Sequence, residues 1–177
     1  VRGYLYWRLL FRDCVALEKP ALPSTSMTIR EILLNFTPIF NLCTDVSTPS
    51  DIDHRKAAKA IAKYGDRGLD TDDILLLIDN TILGSAKQGM FITDDQLFAY
   101  SEISGKYSIL LSDIRTIKIE IRKPIGIKIP GITVNNGYFI SLPGMAETID
   151  YKAGKHSAIL LLATFMVQVT GCDLVGE

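Results

Sequence analysis

The chain has 177 residues, 47% of them hydrophobic and 22% charged, with a formal net charge of −1. A chain this long can bury roughly 70% of its unfolded surface, so one domain, or a domain with an appendage, needs no disulfide staples. The composition excludes a disordered chain, and the near-zero charge excludes a whole-chain field attracting nucleic acid or acidic membrane, so any anion site must be local.

Residues Val1–Ser26 open the chain. Their apolar stretch is interrupted by Arg8 and Arg12 and lacks a small-residue cleavage site, which makes a poor signal peptide. The segment ends in the breaker-rich Lys19-Pro-Ala-Leu-Pro-Ser-Thr-Ser26, and a well-formed helix start follows at Met27-Thr-Ile-Arg-Glu31. Thr28 can cap, Glu31 can reach back and Met27 can staple onto Ile32. We therefore read residues 1–26 as an uncertain extension and Met27 as the opening of the natural fold. The first helix is expected to stop near Thr37-Pro38.

A second helix is expected over HRKAAKAIAKYG, with Ser50 as cap and Gly65 as stop. Arg55, Lys56, Lys59 and Lys63 share an arc of about 100° at helical spacing, while Ile52, Ala58, Ile61 and Ala62 offer an apolar side. The stripe reads as an anion or membrane surface or, more simply, as a solvated face. A short third helix, capped by Asp70, is expected through Ile78. Residues 27–78 thus form a helical segment and residues 79–177 a second unit.

From Asn80 the texture becomes that of β-structure. Seven strands are expected, near Thr81–Leu83, Met90–Thr93, Leu97–Ser101, Tyr107–Leu111, Ile114–Arg122, Ile125–Val134 and Tyr138–Leu142. The fifth is the clearest, because Ile117, Ile119 and Ile121 alternate with Lys118, Glu120 and Arg122. Asn136-Gly137 suits a hairpin turn, and Pro130-Gly131 suggests a bulge. A mostly buried helix is expected from His156 to Thr170, ending at Gly171. Its apolar stretch is shorter than the ~20 residues that span a bilayer, so no transmembrane segment is expected. The fold class is α+β, without the strand–helix alternation of dinucleotide-binding folds.

The chemistry-bearing residues are sparse. Gly84-Ser-Ala-Lys-Gln-Gly89 has the glycine spacing of a phosphate loop. A nucleotide loop, however, needs Lys-Ser/Thr after the second glycine and a helix beyond it, and here Met90-Phe-Ile-Thr follows. Cys14, Cys43 and Cys172 are far apart and read as free thiols in a reducing compartment, hence a cytoplasmic protein. His54 and His156 make neither a nucleophile–base pair nor a metal cluster. Lys118, Arg122 and Lys128 lack the interleaved aromatics that stack nucleic-acid bases, and Trp7 lies in the extension. We expect no enzyme, metal, cofactor or nucleic acid. A small hydrolase stays as a remote alternative that requires a concave pocket.

The run DNTILGSAKQGMFITDDQLFAYSE, with Leu111-Ser-Asp-Ile114 after it, resembles a module of uncharacterised bacterial proteins with a pleckstrin-homology-like (PH-like) fold. The resemblance covers Asp79–Thr170 at most. It implies a bent antiparallel seven-stranded barrel capped by the C-terminal helix, with Gly84–Gly89 joining the first two strands. The strand count alone equally allows a sandwich. In eukaryotic PH domains that loop often binds inositol phosphates, with further basic residues along the second strand. Here Lys87 stands alone, so several charge-assisted bonds cannot act together. The reading is a binding module that recruits a protein partner or assembles with itself, through Lys87, Lys118, Arg122 and the stripe Arg55, Lys56, Lys59 and Lys63. Weak binding to anionic lipid is the alternative.

Overall fold

The computed structural model describes residues 27–81, 84–102, 104–123, 129–151 and 154–175. The expectations for Val1–Ser26, Cys14, Trp7 and Lys128 lie outside them, as do parts of the expected first and sixth strands. Among the described residues there are three α-helices, a five-stranded sheet, a four-stranded sheet and a two-stranded hairpin. The class is α+β, and the two larger sheets do not close into one continuous hydrogen-bonded barrel.

Helix α1, Ile29–Phe40, begins as its sequence requires. The Glu31 amide donates to Thr28 Oγ1 and the Thr28 amide donates to Glu31 Oε2, closing a capping box. It runs past Pro38, because the Asn41 amide still finds the Thr37 carbonyl and Phe40 is drawn into the core. Ile32, Leu33, Phe36 and Phe40 form its buried face, each worth about 1.5–3 kcal/mol on burial. Met27, at the staple position before the cap, is half exposed.

The short strand β1, Val46–Ser47, precedes α2, His54–Tyr64. Asp53, not Ser50, caps α2, its carboxylate accepting the Arg55 and Lys56 amides. Gly65 ends the helix as expected. The buried face is Ala57, Ala60 and Tyr64, whereas Ala58 and Ala62 are exposed. Tyr64 decides this, because its ring fills a slot beside Phe91 at 5.2 Å between centroids.

The expected third helix is instead one 3₁₀ turn, Thr71–Asp73, followed by strand β2, Leu76–Asp79. β2 continues antiparallel into β3, Gly89–Ile92, β4, Gln96–Ser101, and β5, Gly105–Leu110, in the order β1-β2-β3-β4-β5. Every residue of β2 is buried. One face of the sheet carries Leu76, Ile78, Met90, Ile92, Leu97 and Ala99 into the main core. The other carries Leu77, Phe91 and Phe98 into a second core under α2. A strand covered on both faces loses its period-two pattern, and its apolar run then reads like helix.

The second sheet has the order β11-β6-β7-β8, with β6 at Thr116–Arg122, β7 at Ile129–Val134, β8 at Tyr138–Ser141 and β11 at Asp173–Val175. The β7–β8 turn carries its positive φ angles on Asn135 and Asn136, one residue before the expected Asn-Gly pair. The Asn135 side chain also accepts from the Arg115 amide and donates to the Asp113 carbonyl. No bulge interrupts Pro130-Gly131, since both pair in register with Ile121 and Glu120. Gly131 is needed because the Phe139 ring covers it, and a Cβ there would lie 2.5 Å from the ring.

The hairpin β9, Thr148–Tyr151, with β10, Gly154–Ser157, precedes α3, Ala158–Thr170. The last helix therefore starts two residues later than expected, with His156 in a strand. Gly171 ends it in the left-handed conformation, φ 67°. α3 is the centre of the main core. Its Phe165 ring packs edge-on to Phe36 and Phe40, with centroids 5.4 and 5.5 Å away. The N-terminal helix thus packs on the same body as the sheets.

Candidate functional site

The Gly84–Gly89 turn was the first candidate, and the residues around it are organised by Asp79. Its Oδ1 accepts from the Thr81 amide and hydroxyl, and Thr81 Oγ1 accepts from the Ser85 amide at 2.6 Å. The Asn80 amide bonds the Gln88 carbonyl across the mouth of the turn. Ala86 is fully buried in the second core with φ 52°. Gly89 passes so close to Ile78 that a Cβ would sit 1.9 Å from its carbonyl oxygen. The loop is folded down onto the domain as a strand-to-strand connection, not held open as a cradle. Lys87 is exposed at its outer side.

Beneath the loop lies a polar cluster that crosses from helix to sheet. Lys56 Nζ is 3.4 Å from Asp79 Oδ2, and Asp79 is buried. Apart from that ion pair, Asp79 Oδ2 has no hydrogen-bond partner among the described residues, and neither has the Tyr64 hydroxyl. Burial, then the Asp79 charge, pushes the Tyr64 phenol well above its ordinary range. Asp45 adjoins the cluster; burial raises its carboxyl pKa, helped by Asp79 and Glu147 and opposed by Lys56. Lys56 is thus the cation balancing a local excess of carboxylate. Sequence reasoning missed Asp45, Tyr64 and Asp79, because nothing in their spacing announces contact between residues on three different elements.

The second candidate is the outer face of β6–β8. Glu120 stands between Lys118 and Arg122, 3.2 and 3.1 Å from them. It also accepts a 2.7 Å bond from the Thr133 hydroxyl. That hydrogen bond, ahead of the two cations, lowers the Glu120 carboxyl pKa. The Arg122 guanidinium lies 4.0 Å above the Phe139 ring. Beside this group Ile121 is 61% exposed, because β6 runs past the end of the core that buries Ile117.

The expected binding residues are therefore not one surface. Lys118 and Arg122 come together through Glu120. Lys56 and Lys63 flank the buried face of α2 and lay their stems on the sheet, Lys56 reaching Asp79 and Lys63 the Tyr100 ring at 4.5 Å. Arg55 and Lys59 are exposed on the opposite side of α2 and Lys87 on its own loop. His54 is an exposed residue bonding Thr71. Among the described residues, no group of three or more His, Cys, Asp or Glu side chains could hold a metal. Cys43 and Cys172 are free and buried, and burial pushes the Cys43 thiol up to about 11. No helix among the described residues is long and apolar enough to cross a membrane. The chain matches no family model, curated protein or solved structure.

Proposed function

We propose that the chain is a non-catalytic binding module on a PH-like scaffold, working in the cytoplasm to recruit a protein partner. Support for the scaffold is the order of elements: a meander of β2 to β5, a meander of β6 to β8, then the apolar helix α3. Fold alone does not name a ligand. The observation that carries the functional reading is the end of β6, which exposes Arg122, backed by the Phe139 ring and paired with Glu120, on one face and the apolar Ile121 on the other. An aromatic-backed arginine is among the residue types enriched in protein-binding hot spots.

The alternative, peripheral binding to anionic lipid, draws on the exposed Lys87, Arg55 and Lys59. It is weakened because Lys56 and Lys63 serve the fold, which leaves few cations to add the ~1 kcal/mol each that a charged membrane surface provides. Self-assembly through α1 would use its outer side, where Leu34 is 70% exposed, because Phe36 and Phe40 on the inner side already pack on α3.

A photo-crosslinking side chain at positions 121, 34, 59 and 87 in turn, in cells, tests the reading. A discrete protein adduct from at least one position is the expected outcome. No protein adduct from any position, together with salt-sensitive sedimentation on anionic vesicles that Lys87→Ala with Lys59→Ala abolishes, would replace it with the lipid reading.

A further inference from the structure

We propose that Asn136 is a site of spontaneous covalent modification. The Gly137 amide nitrogen attacks the Asn136 side chain and converts it to isoaspartate and aspartate, at a rate gated by opening of the β7–β8 turn.

The turn is closed by the Gly137 amide, which donates to the Val134 carbonyl at 3.0 Å. Its central residues, Asn135 and Asn136, have φ 50° and 55°, the pattern of a type I′ turn. Glycine is the usual supplier of positive φ in such a turn, but Gly137 does not have positive φ. A Cβ on Gly137 would meet the Asn135 and Val134 carbonyl oxygens at 3.8 Å, an ordinary contact. Among the described residues, neither backbone angle nor space therefore demands a glycine at 137. What glycine does supply is an amide nitrogen with no side chain beside it, and the residue before it is an exposed asparagine. The other asparagine of the turn is held. Asn135 Oδ1 accepts from the Arg115 and Thr116 amides at 2.7 and 3.2 Å, and Asn135 Nδ2 donates to the Asp113 carbonyl at 2.9 Å.

The chemistry needs water and a solvent base and nothing else. The Gly137 nitrogen gives its proton to the base and bonds to Asn136 Cγ, while the Cγ–Nδ2 bond breaks and ammonia leaves. Water then opens the cyclic imide at either carbonyl. Opening at Cγ gives aspartate, and opening at the main-chain carbonyl gives isoaspartate, in which the chain runs through Cγ. The closed turn opposes the first step twice. The proton that must leave is engaged by the Val134 carbonyl, and closing the imide rotates Asn136 ψ far from the value of about 0° that the turn holds. The reaction therefore proceeds from the opened turn. Its isoaspartate product carries one extra main-chain carbon between β7 and β8, directly before Tyr138. Tyr138 pairs with Val134, stacks on Tyr107 with centroids 4.0 Å apart and donates to the Gly105 carbonyl, so the change falls where the two sheets meet.

The test incubates the full chain in mildly alkaline buffer, folded or in guanidinium chloride. Products at each asparagine are read by peptide mass spectrometry and by an isoaspartate-specific methyltransferase. The expected result is isoaspartate and aspartate at Asn136 and none at Asn135. The folded chain should react about tenfold or more slowly than the denatured one, because local opening precedes attack. Gly137→Ala, which space and φ both tolerate, should slow the reaction in both states. Asn135→Gly, which keeps positive φ accessible and removes the three side-chain bonds, should bring the folded rate towards the denatured one. No product at position 136 in denaturant would overturn the site, as would product in denaturant with none in folded Asn135→Gly. Equal rates in the two states would overturn the gate. An unchanged rate in Gly137→Ala would overturn attack by the Gly137 nitrogen.

Discussion

Lys56 on α2 and Asp79 at the end of β2 meet at 3.4 Å, joining the helix to the sheet directly under the Gly84–Gly89 turn. Asp79 is buried while Lys56 remains partly exposed, so the two halves of the pair are not equivalent. Removing the lysine strands a buried carboxylate that also positions Thr81. Breaking a fully buried pair costs about 3–5 kcal/mol, and the partial exposure of Lys56 reduces the expected loss for Lys56→Met to about 1–3 kcal/mol. Pairing it with Asp79→Asn should recover part of that loss. A double-mutant cycle from urea denaturation measures the coupling, and additive losses would show that the pair does not act as a unit.

Asp45 and Glu120 titrate with opposite consequences. The folded pKa of Asp45 is raised above the ordinary 3.8, so its ionised form disfavours the folded state. Asp45→Asn should raise the urea midpoint at pH 7, with the gain fading as pH falls through the raised folded value and gone below 3.8. The folded pKa of Glu120 is lowered from 4.5, so its stabilisation is present above that pH and disappears as pH falls through the folded value. Glu120→Gln should lower the midpoint at pH 7 and converge with wild type in acid. Parallel curves across the pH range would contradict either assignment.

Gly89 has φ 134° and almost touches the Ile78 carbonyl. Gly89→Ala therefore forces both a rare backbone conformation and a displacement of β2. The backbone conformation alone costs of order 1–3 kcal/mol. Gly68 serves as the control: it also has positive φ but has nothing within 4 Å of an added Cβ. Thermal unfolding should show the larger loss at Gly89, and equal losses would remove the close approach as the cause.

Phe165 is fully buried between Phe36 and Phe40. Phe165→Ala should cost about 3–5 kcal/mol. Because the ring is the contact between α3 and α1, amide exchange should accelerate in α1 well before it does in β3. Uniform acceleration would mean that α1 is not a separable unit.

Cys43 and Cys172 are buried free thiols, and at neutral pH Cys43 is held protonated by burial and by nearby Glu147 and Asp45. In a Cys14→Ser background, thiol reagents should modify both slowly in buffer and rapidly in urea. Rapid modification in buffer would show that the core opens locally.

Much of the fold is legible without coordinates. The α1 capping box, the Gly65 and Gly171 helix ends, and strands β3 to β8 all rest on short-range chemistry. Caps, stops and period-two alternation depend on neighbours a few residues away, and the sequence lists those neighbours. Two of the failures have their cause in packing against residues distant in sequence. β2 read as helix because both of its faces are buried, and α2 faces the sheet with Ala57, Ala60 and Tyr64 because Phe91 and Phe98 leave a slot for the tyrosine ring. β1 and β11, of two and three residues, are too short to carry a pattern.

The candidate surfaces divide the same way. The sequence alone determined the charges: a lone Lys87 in its glycine turn, a lysine-rich helix and an alternating β6. Only the tertiary structure decided which charges are available. Long-range packing pairs Lys56 with Asp79 and lays Lys63 on Tyr100. Pairing within the second sheet places Arg122 over Phe139. A lysine's reach exceeds one helical turn, so its role depends on whatever carboxylate or ring the fold brings within that reach. Helical or strand periodicity contains no information about that partner.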